Sequence, residues 1–434
     1  MYTEIALAAA LSAPLALLAS ELALRAFYRR RGAAWVLEPG SVQIQEIDRE
    51  TLPALEPEVR IEVNRDGERG APPPADWRRT FRVLVAGGSA AECFLLDQET
   101  QWPSVVAREL QARAAELGVD RVHVGNIARS LVRCEYVEWM LNATLPRMPR
   151  LDAVVLMVGA SDLVAWLEQG CPAEVTASEL DPNRCFQRHD FGPFRWRPGQ
   201  LALRELVKRV KNRLVPSVVR RTRAGKSIAK HRKMRASAET LVREAPDARG
   251  MLALYEEYLR RTIEAARSTG AKVLVARQPW LQKDFTPEEA ARLWNFGKGR
   301  PYEGPVTTYF AIEVVHRLMA AVDEVSARVA AEMGVGACEL RTHLDASFDT
   351  FYDTLHFTPR GAAAVGKRVA EALATLVKGT SDDRPSVAGP DGSGSHGSGS
   401  HESGPYESGP NESGPYESGR HGPSAADSGA LSVS

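Results

Sequence analysis

Apolar and polar positions follow two rhythms along this chain. The runs VLVAG (83–87), RVHVGN (121–126), LDAVVLMVG (151–159), AKVLVARQP (271–279) and VGACELR (335–341) are short, valine-rich and mostly apolar at consecutive positions. That is the pattern of strands covered on both faces. Between and after them the apolar period lengthens to three or four residues. It does so over WPSVVARELQARAAEL (102–117), CEYVEWMLNATL (134–145), MLALYEEYLRRTIEAARSTG (251–270), TTYFAIEVVHRLMAAVDEVSARVAAEMG (307–334) and PRGAAAVGKRVAEALATLV (359–377). These stretches predict amphipathic helices. Pro103 falls in a first helical turn, and Thr358–Pro359 make an N-cap and first-position pair. Alternating strands and helices predict an α/β domain on a parallel five-stranded sheet. In such sheets chemistry collects at the carboxyl ends of the strands. Ser89, Asn126 and Ser161 all fall at or just past such an end.

The flanks behave differently. Residues Ile5 to Ala19 are almost wholly apolar, then Glu21 and Arg25 follow four apart, close enough to pair on a helix. The stretch 5–27 is long enough to span a bilayer, and no A-x-A cleavage site precedes a polar start. An uncleaved membrane helix over 1–31 is therefore expected. Residues 32–78 are Pro-rich and charged, a stalk or irregular lead-in. The domain proper runs from 79 to 378 and carries a basic insertion at about 170–247. Its segment 204–235 holds one acidic residue among many Lys and Arg. Two readings stand for it, a solvated helical surface or a patch for anionic lipid headgroups or an anionic polymer. From 379 to 434 the chain is a Gly/Ser/Pro/Glu repeat too poor in aliphatic residues to fold, and a disordered tail is expected.

Composition narrows the picture further. The 434 residues carry 55 Lys and Arg against 55 Asp and Glu, so no overall field draws the chain to nucleic acid. No aromatic interleaving accompanies the basic segment, which argues against nucleic acid there too. The five cysteines show neither CxxC nor zinc spacing. Cys171 and Cys185 share one polar stretch and are positioned to pair in an oxidising compartment. No metal site is expected. Arg129, Arg133, His189 and His316 read as surface or structural residues.

Two short motifs carry the chemistry. In AGGSAAEC (86–93) a buried strand ends on two glycines and a hydroxyl, Ser89. In DTLHF (353–357) an Asp-x-x-His precedes a helix start, a spacing at which one turn brings the carboxylate against the imidazole. The carboxylate of Asp353 then orients His356 as general base for a nucleophile.

With a serine after the first strand and Asp-x-x-His after the last, the chain resembles the SGNH (GDSL-type) hydrolase family from about Arg82 to Val377. It is similar to a membrane-anchored bacterial branch with Gly-Gly-Ser in the first block. The resemblance implies a three-layer α/β/α sandwich with a flavodoxin-like sheet and Ser89, Asp353 and His356 as catalytic triad. It also implies oxyanion donors from the Ser89 backbone, from Leu131 where the family has glycine, and from Ser161 where the family has asparagine. Asn126 and Gln278, at the ends of the second and fourth strands, are candidate substrate contacts. No cofactor is implied.

The expected activity is a serine esterase or acyl hydrolase, with transfer to a sugar hydroxyl as a variant of the same chemistry. Its substrate would be an ester-bearing small molecule, lipid or glycan. The alternative is a catalytically degenerate relative that binds an envelope glycan or acts in envelope assembly. Family resemblance favours an extracytoplasmic domain; the cluster Arg29, Arg30, Arg31 after the apolar run argues the reverse.

Overall fold

The computed structural model describes residues 2–31, 34–148, 150–177, 179–189, 201–214 and 219–378. The tail expected to be disordered, 379–434, lies outside the described residues. Numbering only the strands of the central sheet, β1 is Thr80–Gly87, β2 Arg121–Asn126, β3 Ala153–Met157, β4 Lys272–Ala276 and β5 Gly336–Cys338. All neighbours pair in parallel, in the order β5-β4-β3-β1-β2. The chain steps from β1 to one edge, then returns past β1 to build the other side. The order therefore reverses between β1 and β3, the place in such open sheets where ligands bind beyond the carboxyl ends of the strands. Ser89 follows one of these strands and Ser161 the other.

Six helices cover the sheet: α1 Trp102–Ala112, α2 Cys134–Thr144, α3 Ala160–Glu168, α4 Arg249–Arg267, α5 Ile312–Glu332 and α6 Pro359–Lys378. Strand side chains alternate between two cores. Leu84, Val154, Leu156, Val273 and Val275 pack with α2, α3, α4 and α5. Val83, Val85, Val155 and Leu274 pack with Trp102, Val106 and Leu110 of α1 and Val365, Val369 and Leu373 of α6. Each fully buried aliphatic side chain contributes about 1.5–3 kcal/mol relative to exposure. Both faces are covered, which is why the strands read as continuous apolar runs.

The lead-in is folded. Val42–Ile47 pairs antiparallel with Glu58–Glu62 and parallel with Val219–Ala224 from the basic insertion, making a separate three-stranded sheet. Beyond it Glu68 is fully buried and accepts from Arg82 Nη2 on β1 and bonds His123 Nε2 on β2, both at 2.8 Å. A buried carboxylate is tolerated only when so paired. The alternating pattern of this segment was masked by its prolines.

Part of the basic insertion also points inward. In the helix Lys226–Ala236, Arg232 donates to the carbonyls of Arg292 and Thr51, and Arg235 to those of Asn295 and Phe310. These two arginines belong neither to a solvated face nor to a lipid patch. They fasten the insertion to loops of the domain.

A helix forms at the amino end, Tyr2–Arg31. Among the described residues, however, no helix is long and apolar enough to cross a membrane. Glu21 interrupts the apolar run for a structural reason. Its carboxylate accepts from the amides of Ala202 and Leu203, at 2.8 and 3.0 Å, at the start of the helix Ala202–Leu214, and from Arg25 Nε. It caps a helix that has no Ser, Thr, Asp or Asn of its own at that point. Cys171 and Cys185 are both free thiols, and burial pushes the Cys185 thiol up to about 12.

Candidate active site

The turn after β1 shows why two glycines precede the serine. A side chain at Gly87 would place Cβ 2.1 Å from the Met157 carbonyl oxygen, and the Gly88 amide donates to that same oxygen at 3.1 Å. The end of β1 therefore lies flat on the end of β3. A Cβ on Gly88 would sit 2.8 Å from Ser161 Oγ. Glycine at this point lets the third-block hydroxyl lie against the nucleophile turn. Ser89 then opens a single helical turn, Ser89–Glu92. Arg69, buried to 2%, closes the far end of that turn by donating to the carbonyls of Glu92, Cys93 and Leu96 at 2.7, 2.9 and 2.6 Å. Carbonyls at a helix end need such partners.

Ser89, His356 and Asp353 form one hydrogen-bonded chain. Ser89 Oγ lies 2.7 Å from His356 Nε2, and His356 Nδ1 lies 2.9 and 2.8 Å from the two oxygens of Asp353. A carboxylate only accepts, so Nδ1 carries the proton and Nε2 is left to receive the serine hydroxyl. The local fold accounts for the Asp-x-x-His spacing. Asp353 Oδ1 also accepts from the Leu355 and His356 amides at 2.8 and 2.9 Å, which closes a tight turn around the carboxylate. The turn sits in a loop held by Tyr352 N–H to His356 O at 3.0 Å and Thr358 N–H to Thr350 O at 2.9 Å. Tyr352 stacks on the imidazole at 5.5 Å and 10°. Complete burial pushes the Asp353 carboxyl up, but the His356 charge and hydrogen bond and the two amides outweigh it, and the net shift is downward. Asp353 therefore stays ionised.

The loop after β2 is tied to the turn that carries Ser89. Arg129 N–H donates to Gly87 O at 3.0 Å, and Glu92 holds both the amide (2.6 Å) and the hydroxyl of Ser130, so the loop after β2 runs alongside Gly87–Ser89. Within it Leu131 has φ 61°, the left-handed region that glycine occupies freely and leucine rarely. Leucine here therefore holds a backbone conformation that favours glycine. The Ser89 and Leu131 amides and the Ser161 hydroxyl donate to no protein acceptor among the described residues. Asp162, next to Ser161, accepts from the Cys134 amide at 2.9 Å and so ties the third block to the start of α2, just past Leu131. Burial pushes its carboxyl up to about 7, and its second oxygen is unpartnered.

The two candidate substrate contacts are used otherwise. Asn126 is buried; its amide donates to Ala91 O at 2.8 Å and Gln101 Oε1 at 3.3 Å, and its oxygen accepts from the Ala128 amide. Every polar atom of the side chain is spent on fixing the turn after β2. Gln278 is buried and donates to the carbonyls of Pro279 and Leu355, which ties the end of β4 to the Asp353 loop. Arg129 donates to the Arg184 carbonyl, Arg133 pairs with Glu135, and His316 bonds the Leu281 carbonyl.

No protein-family model and no curated protein matches the sequence. Among solved structures, the chain is similar to a member of the lipolytic G-D-S-L family from Veillonella parvula. Identity is 10% over 67% of this chain and 97% of that one, with a TM-score of 0.35. It is similar to a carbohydrate acetylesterase from Sinorhizobium meliloti at 13% identity over 68% and 99%, TM-score 0.37. An acetylxylan esterase from Geobacillus stearothermophilus aligns at 12% identity over 68% and 94%, TM-score 0.34. Likeness at this level carries no chemistry, which the geometry of the site has to supply.

Residues beyond the motifs complete the site. Trp294 Nε1 donates to Asp353 Oδ2 at 3.1 Å, and His231 of the insertion stacks on that indole. Glu92 had a faint signal, one turn after Ser89 on the same helix. Trp294 had none.

Proposed function

We propose that the protein is an SGNH-type serine hydrolase that cleaves an ester-linked acyl group. The observation that carries this reading is the unbroken chain from Ser89 Oγ through His356 to a buried, ionised Asp353. Ser89 Oγ attacks the ester carbonyl while His356 Nε2 takes its proton, and Asp353 stabilises the imidazolium. Negative charge gathers on the carbonyl oxygen, facing the Ser89 and Leu131 amides and the Ser161 hydroxyl. Collapse expels the alcohol, which leaves with the proton from His356. Water then attacks the acyl-serine by the same steps in reverse roles and releases the acid. A sugar hydroxyl in place of that water would make the protein an acyltransferase.

A serine-reactive fluorophosphonate tests the reading. Wild-type protein should be labelled and should hydrolyse p-nitrophenyl acetate; Ser89→Ala should lose both. A folded wild type that neither labels nor turns over would make the protein a glycan-binding or envelope-assembly relative instead.

The reading extends to envelope glycans or lipids as substrates and to an extracytoplasmic domain held at a bilayer by the apolar stretch 5–27. Support for the last is the apolar sequence and the exposure of Leu15, Leu17, Leu18 and Leu22. Alkaline carbonate extraction should leave the full chain in the membrane pellet. Its recovery in the supernatant would end the anchoring part of the proposal.

A further inference from the structure

Leu131 combines two features that each work against folding. Its backbone holds φ 61°, where a β-carbon is crowded, and its side chain is 52% exposed to solvent. A leucine that packs in no core gains little from burial, and a glycine would adopt the same backbone without strain. Strained residues of this kind persist where the surroundings over-determine them, and they gather at functional sites.

Here the surroundings do over-determine it. On one side Ser130 is held by two bonds to the Glu92 carboxylate, one turn beyond the nucleophile. On the other, Val132 is buried to 2%, and its carbonyl oxygen comes within 3.9 Å of where a Cβ on Gly88 would lie. Cys134 is tied to Asp162 a little further on. The loop is clamped at both ends against the turn that carries Ser89, so Leu131 has one place to be, on the rim of the catalytic site with its side chain outward.

We propose that the Leu131 side chain is an apolar contact for the acyl chain of the substrate, and that the enzyme takes acyl groups longer than acetyl. The inference rests on the hydrolase reading and deepens it. The backbone amide of Leu131 serves the oxyanion, as glycine's would. The isobutyl group is what the leucine adds, and the acyl carbon bound to the reacting carbonyl lies next to that oxyanion. An exposed leucine there gains burial only when an apolar chain lies against it, so its contribution appears in binding rather than in folding. Acetyl is too short to cover it.

The test is the chain-length profile of p-nitrophenyl acetate, butyrate and hexanoate hydrolysis by wild type, Leu131→Gly and Leu131→Met, each read above the Ser89→Ala background. Leu131→Gly keeps the backbone amide and relieves the strained φ. It should lower the hexanoate-to-acetate ratio of kcat/KM about tenfold, the scale on which a hydrophobic contact discriminates. Leu131→Met should hold the wild-type ratio. The ratio is read within one protein, so a general loss of activity from a disturbed oxyanion hole leaves it unmoved. An unchanged ratio in Leu131→Gly overturns the inference and leaves the hydrolase reading standing. A wild type with no activity above the Ser89→Ala background overturns both.

Discussion

The indole N–H of Trp294 donates to Asp353 Oδ2 at 3.1 Å, 59 residues away along the chain, while the same carboxylate holds His356. Trp294 fixes one edge of the carboxylate so that the imidazole meets it squarely. Arg69 plays the corresponding part for the nucleophile turn. The Ser89–His356–Asp353 chain is thus braced at both ends by residues outside its motifs.

Trp294→Phe removes the indole donor while keeping a ring against His231. The carboxylate gains freedom and loses one of its hydrogen bonds. We expect kcat to fall about ten- to 10²-fold, on the scale of about 1.5–3 kcal/mol for a hydrogen bond to a charged group, with KM little altered. Steady-state kinetics on a p-nitrophenyl ester checks this. A rise in KM at constant kcat would place Trp294 in substrate binding instead.

Ser161 stands where its hydroxyl reaches the nucleophile turn. If it donates to the oxyanion, Ser161→Ala should lower kcat by about 10²-fold, the lower end for loss of one such donor. Ser161→Asn keeps a donor and should recover at least part of that loss. Equal kcat for wild type and Ser161→Ala would take Ser161 out of the oxyanion hole.

Asp162 makes stability depend on pH. Its carboxyl is pushed up to about 7 by burial, from an ordinary value of 3.8. Between those values the folded state binds more protons than the unfolded one, so stability falls as pH rises and levels off above about 7. Asp162→Asn keeps an oxygen to accept from Cys134 N–H and cannot ionise. Thermal melts from pH 5 to pH 8 should show the wild type losing roughly 2–3 kcal/mol more than the variant. Parallel melting curves for the two proteins would mean that the carboxyl is ionised throughout.

The sequence by itself determined the five strands, their covering helices and the chemistry at their ends. Burial on both faces writes a continuous apolar run, and the Asp-x-x-His turn is a local event whose partners lie within a few residues. His356 and Asp353 could be paired from their spacing alone for that reason. Only the tertiary structure decided which polar groups near those ends are free. Asn126 and Gln278 have the right position for a substrate, yet their amides are taken up by the carbonyls of Ala91 and Leu355 from elsewhere in the chain and of the adjacent Pro279. Arg69 and Trp294 had no sequence signal because their partners are 23 to 59 residues distant. The lead-in 32–78 looked irregular because its strands find their third neighbour in residues 219–224. The left-handed backbone at Leu131 was likewise out of reach of the sequence, since the residue type argues against it. Hydrogen bonds from Ser130 to Glu92 and packing of Val132 impose that conformation, and those contacts exist only once the sheet has brought the two loops together.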